Sequence, residues 1–114
     1  MDFNTYQKEA GKTIPASLSL EELRENAIYG LVGEVGELVD IFKKVKFQGH
    51  AWDAETQRHI ILEIGDLLWY LSEMATGMEV DFDLIPKKNI EKLRARYGDH
   101  FDTEKSQNRK EGDI

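Results

Sequence analysis

The chain has 114 residues and no cysteine, which excludes disulfides, thiolate zinc sites and cysteine nucleophiles. It also lacks any run approaching the roughly 18 apolar residues of a membrane span. Its opening, MDFNTYQKEA, has no basic start followed by an apolar stretch, as a secretory leader would. These absences predict a soluble, cytoplasmic protein. Positive charge is in short supply as well: 15 Lys and Arg stand against 22 Asp and Glu, a net charge of -7. That balance disfavours a general nucleic-acid binder, because phosphate backbones are held by accumulated basic side chains. It leaves open a small phosphate ligand brought in with a metal. No Walker loop or other glycine-rich phosphate cradle is present, and no alternating strand pattern runs for any length.

What remains is helix signal divided by turn chemistry. Asn4 and Gln7 resemble a capping pair that opens a short helix, which Ile14-Pro15 should end. Ser19 and Glu22 form a fuller capping box, with Leu18 and Leu23 as its staple. The second helix is therefore predicted from near Leu20 to about Phe47, where Gln48-Gly49-His50 breaks it. Asp53 should cap a third helix, apolar to Thr76 and stopped by Gly77 as a left-handed residue. Asp83 and an early Pro86 begin a fourth, ending at Gly98. The length suits one domain, predicted over residues 1–101, with residues 102–114 as a polar tail without apolar periodicity. The fold class is all-α, a small bundle of about four helices. The third helix is apolar on two sides, which in so short a chain points to homo-oligomerisation, as a homodimer or homotetramer.

Two carboxylate pairs interrupt the apolar stripes. Glu34 and Glu37 lie in GEVGEL, and Glu63 and Asp66 in EIGDLL. Residues three apart share a helix face. On a helical wheel, Leu23, Ala27, Leu31, Leu38, Ile41 and Val45 fall within about 60° of Glu34, and Ile60, Leu67, Tyr70 and Met74 within about 60° of Glu63. Gly30 beside Glu34 leaves room for a close approach. Any one of these acids would ordinarily be a solvated helix charge, but two pairs of matched spacing inside apolar arcs make an acidic cluster. Unpaired buried carboxylates cost several kcal/mol or lose their charge, and a hard cation removes that cost. An all-carboxylate set without cysteine suits Mg²⁺, with Mn²⁺ possible, rather than zinc. A di-iron bundle would want Glu-x-x-His on two helices, and neither pair has it. His59, four residues before Glu63, reads as a hydrogen-bonded structural residue rather than a ligand. His50 follows a loop glycine, and Trp52 in the same loop could close over a ligand.

Basic residues are uneven. Lys43, Lys44 and Lys46 close the second helix, and Lys87, Lys88, Lys92, Arg94 and Arg96 crowd the fourth. The plain reading is dipole compensation and solvated surface; the functional one is neutralisation of phosphate charge around a bound Mg²⁺. Trp69 and Tyr70 are ordinary core aromatics or a stacking surface for a base.

In order, GEVGEL, FQGHAWD, EIGDLLWYL, NIEKLRARY and a downstream F-x-x-E-x-S-x-x-R resemble the MazG-like nucleoside triphosphate pyrophosphohydrolases of the all-α NTP pyrophosphatase superfamily. The resemblance covers nearly the whole chain. It implies Mg²⁺-dependent hydrolysis of (d)NTP between the α and β phosphates, giving nucleoside monophosphate and pyrophosphate. It assigns Glu34, Glu37, Glu63 and Asp66 as metal ligands and catalytic residues, and Asn89 and Lys92 to an N-x-x-K-L element around the phosphates. Arg96 and Tyr97 follow in RY, and with Lys44 and Trp69 they complete the expected substrate-binding set. Two departures stand out: Gly33 replaces the extra Glu of an EExxE motif, and Gly98-Asp99-His100 replaces a Pro-containing turn. The alternative class is a non-enzymatic helical dimerisation or regulatory module that binds nucleotide or a protein partner.

Overall fold

The computed structural model describes residues 1–98, and its helices are α1 (Phe3–Gly11), α2 (Leu20–Phe47), α3 (Ala54–Gly77) and α4 (Leu84–Tyr97). Expectations for His100, for the F-x-x-E-x-S-x-x-R motif and for the tail at 102–114 lie outside these described residues. No strand occurs among the described residues, so the all-α class holds. Among the described residues, no helix is long and apolar enough to cross a membrane.

The long α2 and α3 pack against each other, and α1 lies on α3. The Ser19 hydroxyl accepts from Glu22 N while Glu22 accepts from Ser19 N, so the reciprocal capping box of α2 is complete. Asp53 caps α3 by accepting from Thr56 N at 2.9 Å. The buried apolar residues are Leu23, Ala27 and Ile41 of α2, Ala75 of α3 and Phe82 beyond it. The three from α2 belong to the stripe that contains Glu34, so the wheel located the inward face correctly.

Three expected caps are different in the structure. Asp2, not Asn4, caps α1 by accepting from Thr5 N. Asn4 instead accepts from Asp83 N across 79 residues, and Gln7 donates to Thr76 Oγ1 and Val80 O while accepting from Phe82 N. The amides predicted to cap locally thus fasten α1 to the α3–α4 turn, where buried backbone groups need partners. Asp83 makes no side-chain cap bond to α4. The left-handed residue after α3 is Glu79, at φ 56°, rather than Gly77. Gly77 is required for a different reason: a Cβ there would meet Arg24 Cγ at 2.8 Å and Leu20 O at 3.2 Å. The same contact lets Arg24 donate to Gly77 O.

Two features bear on assembly. Ile28, Val32, Val35, Val39 and Phe42 recur every three or four residues along α2 and remain exposed, as do Ile61, Ile64 and Leu71 on α3. Such spacing is that of a helix-packing seam. Moreover, no Cα of α4 lies within 8 Å of one in another helix.

Candidate active site

The carboxylates meet where α2 crosses the middle of α3. Glu34 and Glu63 are half-buried and Asp66 is exposed, and one oxygen from each lies within 4.8 Å of the other two. Glu37, one turn beyond Glu34, is exposed and stands outside that group. Its charge still acts on Glu34. Three of the four expected ligands are therefore brought together, from both pairs.

The electrostatics follow from the crowding. Two facing carboxylates offer only acceptors, so something positive must lie between them. The Glu34 carboxyl is pushed up to about 7, first by a hydrogen bond shared with Glu63, then by burial and by the charges of Asp66, Glu63 and Glu37. Without a cation, a proton fills that role. One Glu63 oxygen lies 3.3 Å from His59 Nε2, on the turn before it. The other, Oε2, is buried without a hydrogen-bond partner. An unpartnered carboxylate oxygen inside a group of three acids is a position that a cation would satisfy, and the donor set, oxygen alone, fits a hard divalent ion.

Two hollows flank the cluster. Toward the C-terminal end of α3, an open cavity of about 340 Å³ is lined by Glu34, Asp66, Trp69 and Tyr70. Toward its N-terminal end, a cleft of about 220 Å³ is lined by residues that include Glu37, Asp40, Lys44, His50 and His59. Lys44 is held there by Asp40 at 2.8 Å. That hydrogen bond lowers the Asp40 pKa and raises that of Lys44. Both side chains are exposed, so water screens the pair and Lys44 can exchange Asp40 for a better anion.

The aromatic wall is built by close packing. A Cβ on Gly30 would land inside the Tyr70 ring, so the glycine noted beside Glu34 makes room for Tyr70. Trp69 stands edge-on to Tyr70, with centroids 5.1 Å apart at 88°. Replacing Gly30 with Ala must displace Tyr70 or part the helices, and is expected to lower stability by about 1–3 kcal/mol. A thermal melt checks this, and an unchanged melting temperature would mean that the ring is not seated on α2.

Asn89, Lys92, Arg96 and Tyr97 all lie on α4, which approaches neither α2 nor α3 within the described chain. Arg96 stacks over Tyr97 at 5.7 Å. The backbone of α4 thus stays more than 8 Å, Cα to Cα, from the helices that carry the carboxylates. Conversely, two neighbours of the site went unnoticed in the sequence. Tyr6 of α1 has its pKa raised by burial and then by the charge of Asp66, and Thr13 accepts a hydrogen bond from Trp69 Nε1 at 2.8 Å. Each is more than 50 residues from its partner, beyond the reach of any local pattern.

Gene 37 protein of Mycobacterium phage L5 is 31% identical over 68 residues, covering 59% of this chain and 60% of that protein. The chain thus spans about three-fifths of the length of this relative. No solved structure matches the chain. A family model described as the MazG nucleotide pyrophosphohydrolase domain matches residues 22–101, a span that contains all four acids, and the chain belongs to that family.

Proposed function

We propose that this protein is a divalent-metal-dependent pyrophosphohydrolase that cleaves nucleoside triphosphates between the α and β phosphates. The observation that carries this reading is the convergence of Glu34, Glu63 and Asp66, with one buried Glu63 oxygen unpartnered, in a chain of the MazG family. These three residues would hold Mg²⁺, or Mn²⁺, with Glu37 joining from the next turn of α2. The ion supplies Lewis-acid polarisation of the phosphoryl oxygens and offsets their charge.

The protein's own groups do the rest. In the hydrolysis, a water oxygen bonds to a phosphorus beside the α–β bridging oxygen, that bridge breaks, and pyrophosphate departs. Glu34, at the edge of the C-terminal hollow, would share ligation with accepting a proton from the attacking water. Glu63 and Glu37 serve as ligands. The N-terminal cleft with Lys44 and His50 suits the pyrophosphate end, and the C-terminal hollow with Trp69 and Tyr70 suits the nucleoside.

Asn89, Lys92, Arg96 and Tyr97 fit this scheme as phosphate-binding groups contributed by a second copy. Support comes from the separation of α4 from its own α2–α3 pair and from the exposed seams on both long helices. A homodimer, or a tetramer of two such pairs, would cover those seams.

Incubation with a panel of (d)NTPs and Mg²⁺, with products separated by chromatography, tests the reaction. Monophosphate and pyrophosphate are expected. Diphosphate and orthophosphate would reject α/β cleavage, and binding without any product would favour a non-enzymatic nucleotide-responsive module.

A further inference from the structure

The wall of the C-terminal hollow is anchored from outside the region that the family model matches. That match begins at residue 22, whereas α1 and the turn after it precede it. Thr13, in this turn, donates its hydroxyl proton to Ala10 O at 2.6 Å, so the oxygen turns a lone pair toward α3. There it accepts from Trp69 Nε1. The turn has little freedom: Asn4 and Gln7 tie α1 to the α3–α4 turn, and Thr13 N bonds Ala10 O as well. On its other side Trp69 abuts Tyr70, itself seated over Gly30.

An indole has one donor, and here Thr13 consumes it. Trp69 therefore offers the hollow ring surface and no hydrogen bond. We propose that Thr13 is a positioning residue that fixes the Trp69 indole as the surface against which the base of a nucleoside triphosphate packs. The inference rests on the pyrophosphohydrolase reading and deepens it. The base is read at this wall by shape and stacking, which every base can supply. Hydrogen-bond discrimination by Trp69 is excluded.

The test uses the full chain carrying Trp52→Phe, which leaves Trp69 as the sole tryptophan, because the sequence has two. Its fluorescence is followed during titration with α,β-methylene analogues of the four dNTPs and Mg²⁺. Analogue binding is expected to change Trp69 emission. Thr13→Val, which removes the acceptor at nearly constant shape, is expected to red-shift the unliganded emission and weaken binding about tenfold, a fraction of the value of one base–aromatic stack. In hydrolysis the loss should appear in KM, with kcat within about twofold, as for lost ground-state binding. Thr13→Ser retains the hydroxyl and should restore both. Trp69→Phe, which keeps a ring but no donor, should raise KM in hydrolysis whether or not Thr13 is then changed to Val.

Equal analogue affinity in the Thr13→Val and Thr13→Ser proteins would overturn the positioning role, as would binding that leaves Trp69 emission unaltered. If those results come with normal hydrolysis, the pyrophosphohydrolase reading survives. Failure of every analogue to bind the parent protein would remove both.

Discussion

Glu63→Gln is expected to lower kcat by on the order of 10³-fold, because a metal ligand carries several kcal/mol of charge stabilisation and each 1.36 kcal/mol is tenfold in rate. The amide keeps the size of the side chain, and its nitrogen cannot ligate a hard cation well. Glu63 is half-buried, holds one oxygen without a partner, and sits between Glu34 and Asp66, so removing its charge relieves repulsion in the metal-free fold. The variant should therefore melt at or above the temperature of the parent while losing turnover. That opposition separates a ligand from a structural residue, whose replacement would lower both. Near-normal turnover would take Glu63 out of the ligand set.

The second large effect concerns pH. The Glu34 carboxyl is raised from 4.5 to about 7 in the folded chain, chiefly by its shared hydrogen bond with Glu63. The folded state therefore binds a proton that the unfolded chain has released, over the window between those two values. The contribution to stability is full below about 4.5 and is lost as pH rises through about 7. Metal-free protein should accordingly lose melting temperature between about pH 5.5 and pH 8, and Glu34→Gln should flatten that slope. Saturating Mg²⁺ should reverse the order, because the ion competes with the proton and binds more tightly as pH rises. Calorimetry of Mg²⁺ binding near pH 7, repeated in buffers of different ionisation enthalpy, should show proton release. The same slope in the parent and in Glu34→Gln would mean that the shared proton is not at this cluster.

Much of the fold was readable before any coordinates, for identifiable reasons. The capping box at Ser19 and the Asp53 cap are local patterns, and both occur. The inward stripe of α2 follows from 3.6-residue periodicity alone, and with it the half-buried position of Glu34. The failures were long-range. Asn4 and Gln7 have the chemistry of caps, but their partners lie more than 65 residues away. Gly77 looked like a helix stop and is instead a helix crossing, because the space a Cβ would need belongs to Arg24.

The site divides in the same way. Matched spacing pointed to Glu34, Glu63 and Asp66, but spacing alone could not foresee that Glu37 would stay outside their group, beside the cleft of Lys44. The α4 residues were named from their motif. Their distance from the acids within this chain depends on how α4 leaves the turn at residues 78–83, where no periodicity operates. Thr13 and Tyr6 had no motif to announce them.

Mn²⁺ binding followed by electron paramagnetic resonance bears most directly on the acidic cluster. The parent protein should take up the ion, more tightly with an α,β-methylene triphosphate present, and the Glu34→Gln, Glu63→Gln, Asp66→Asn triple variant should take up none while remaining helical. Equal uptake by the two proteins would place the metal elsewhere and contradict the assignment of these three carboxylates.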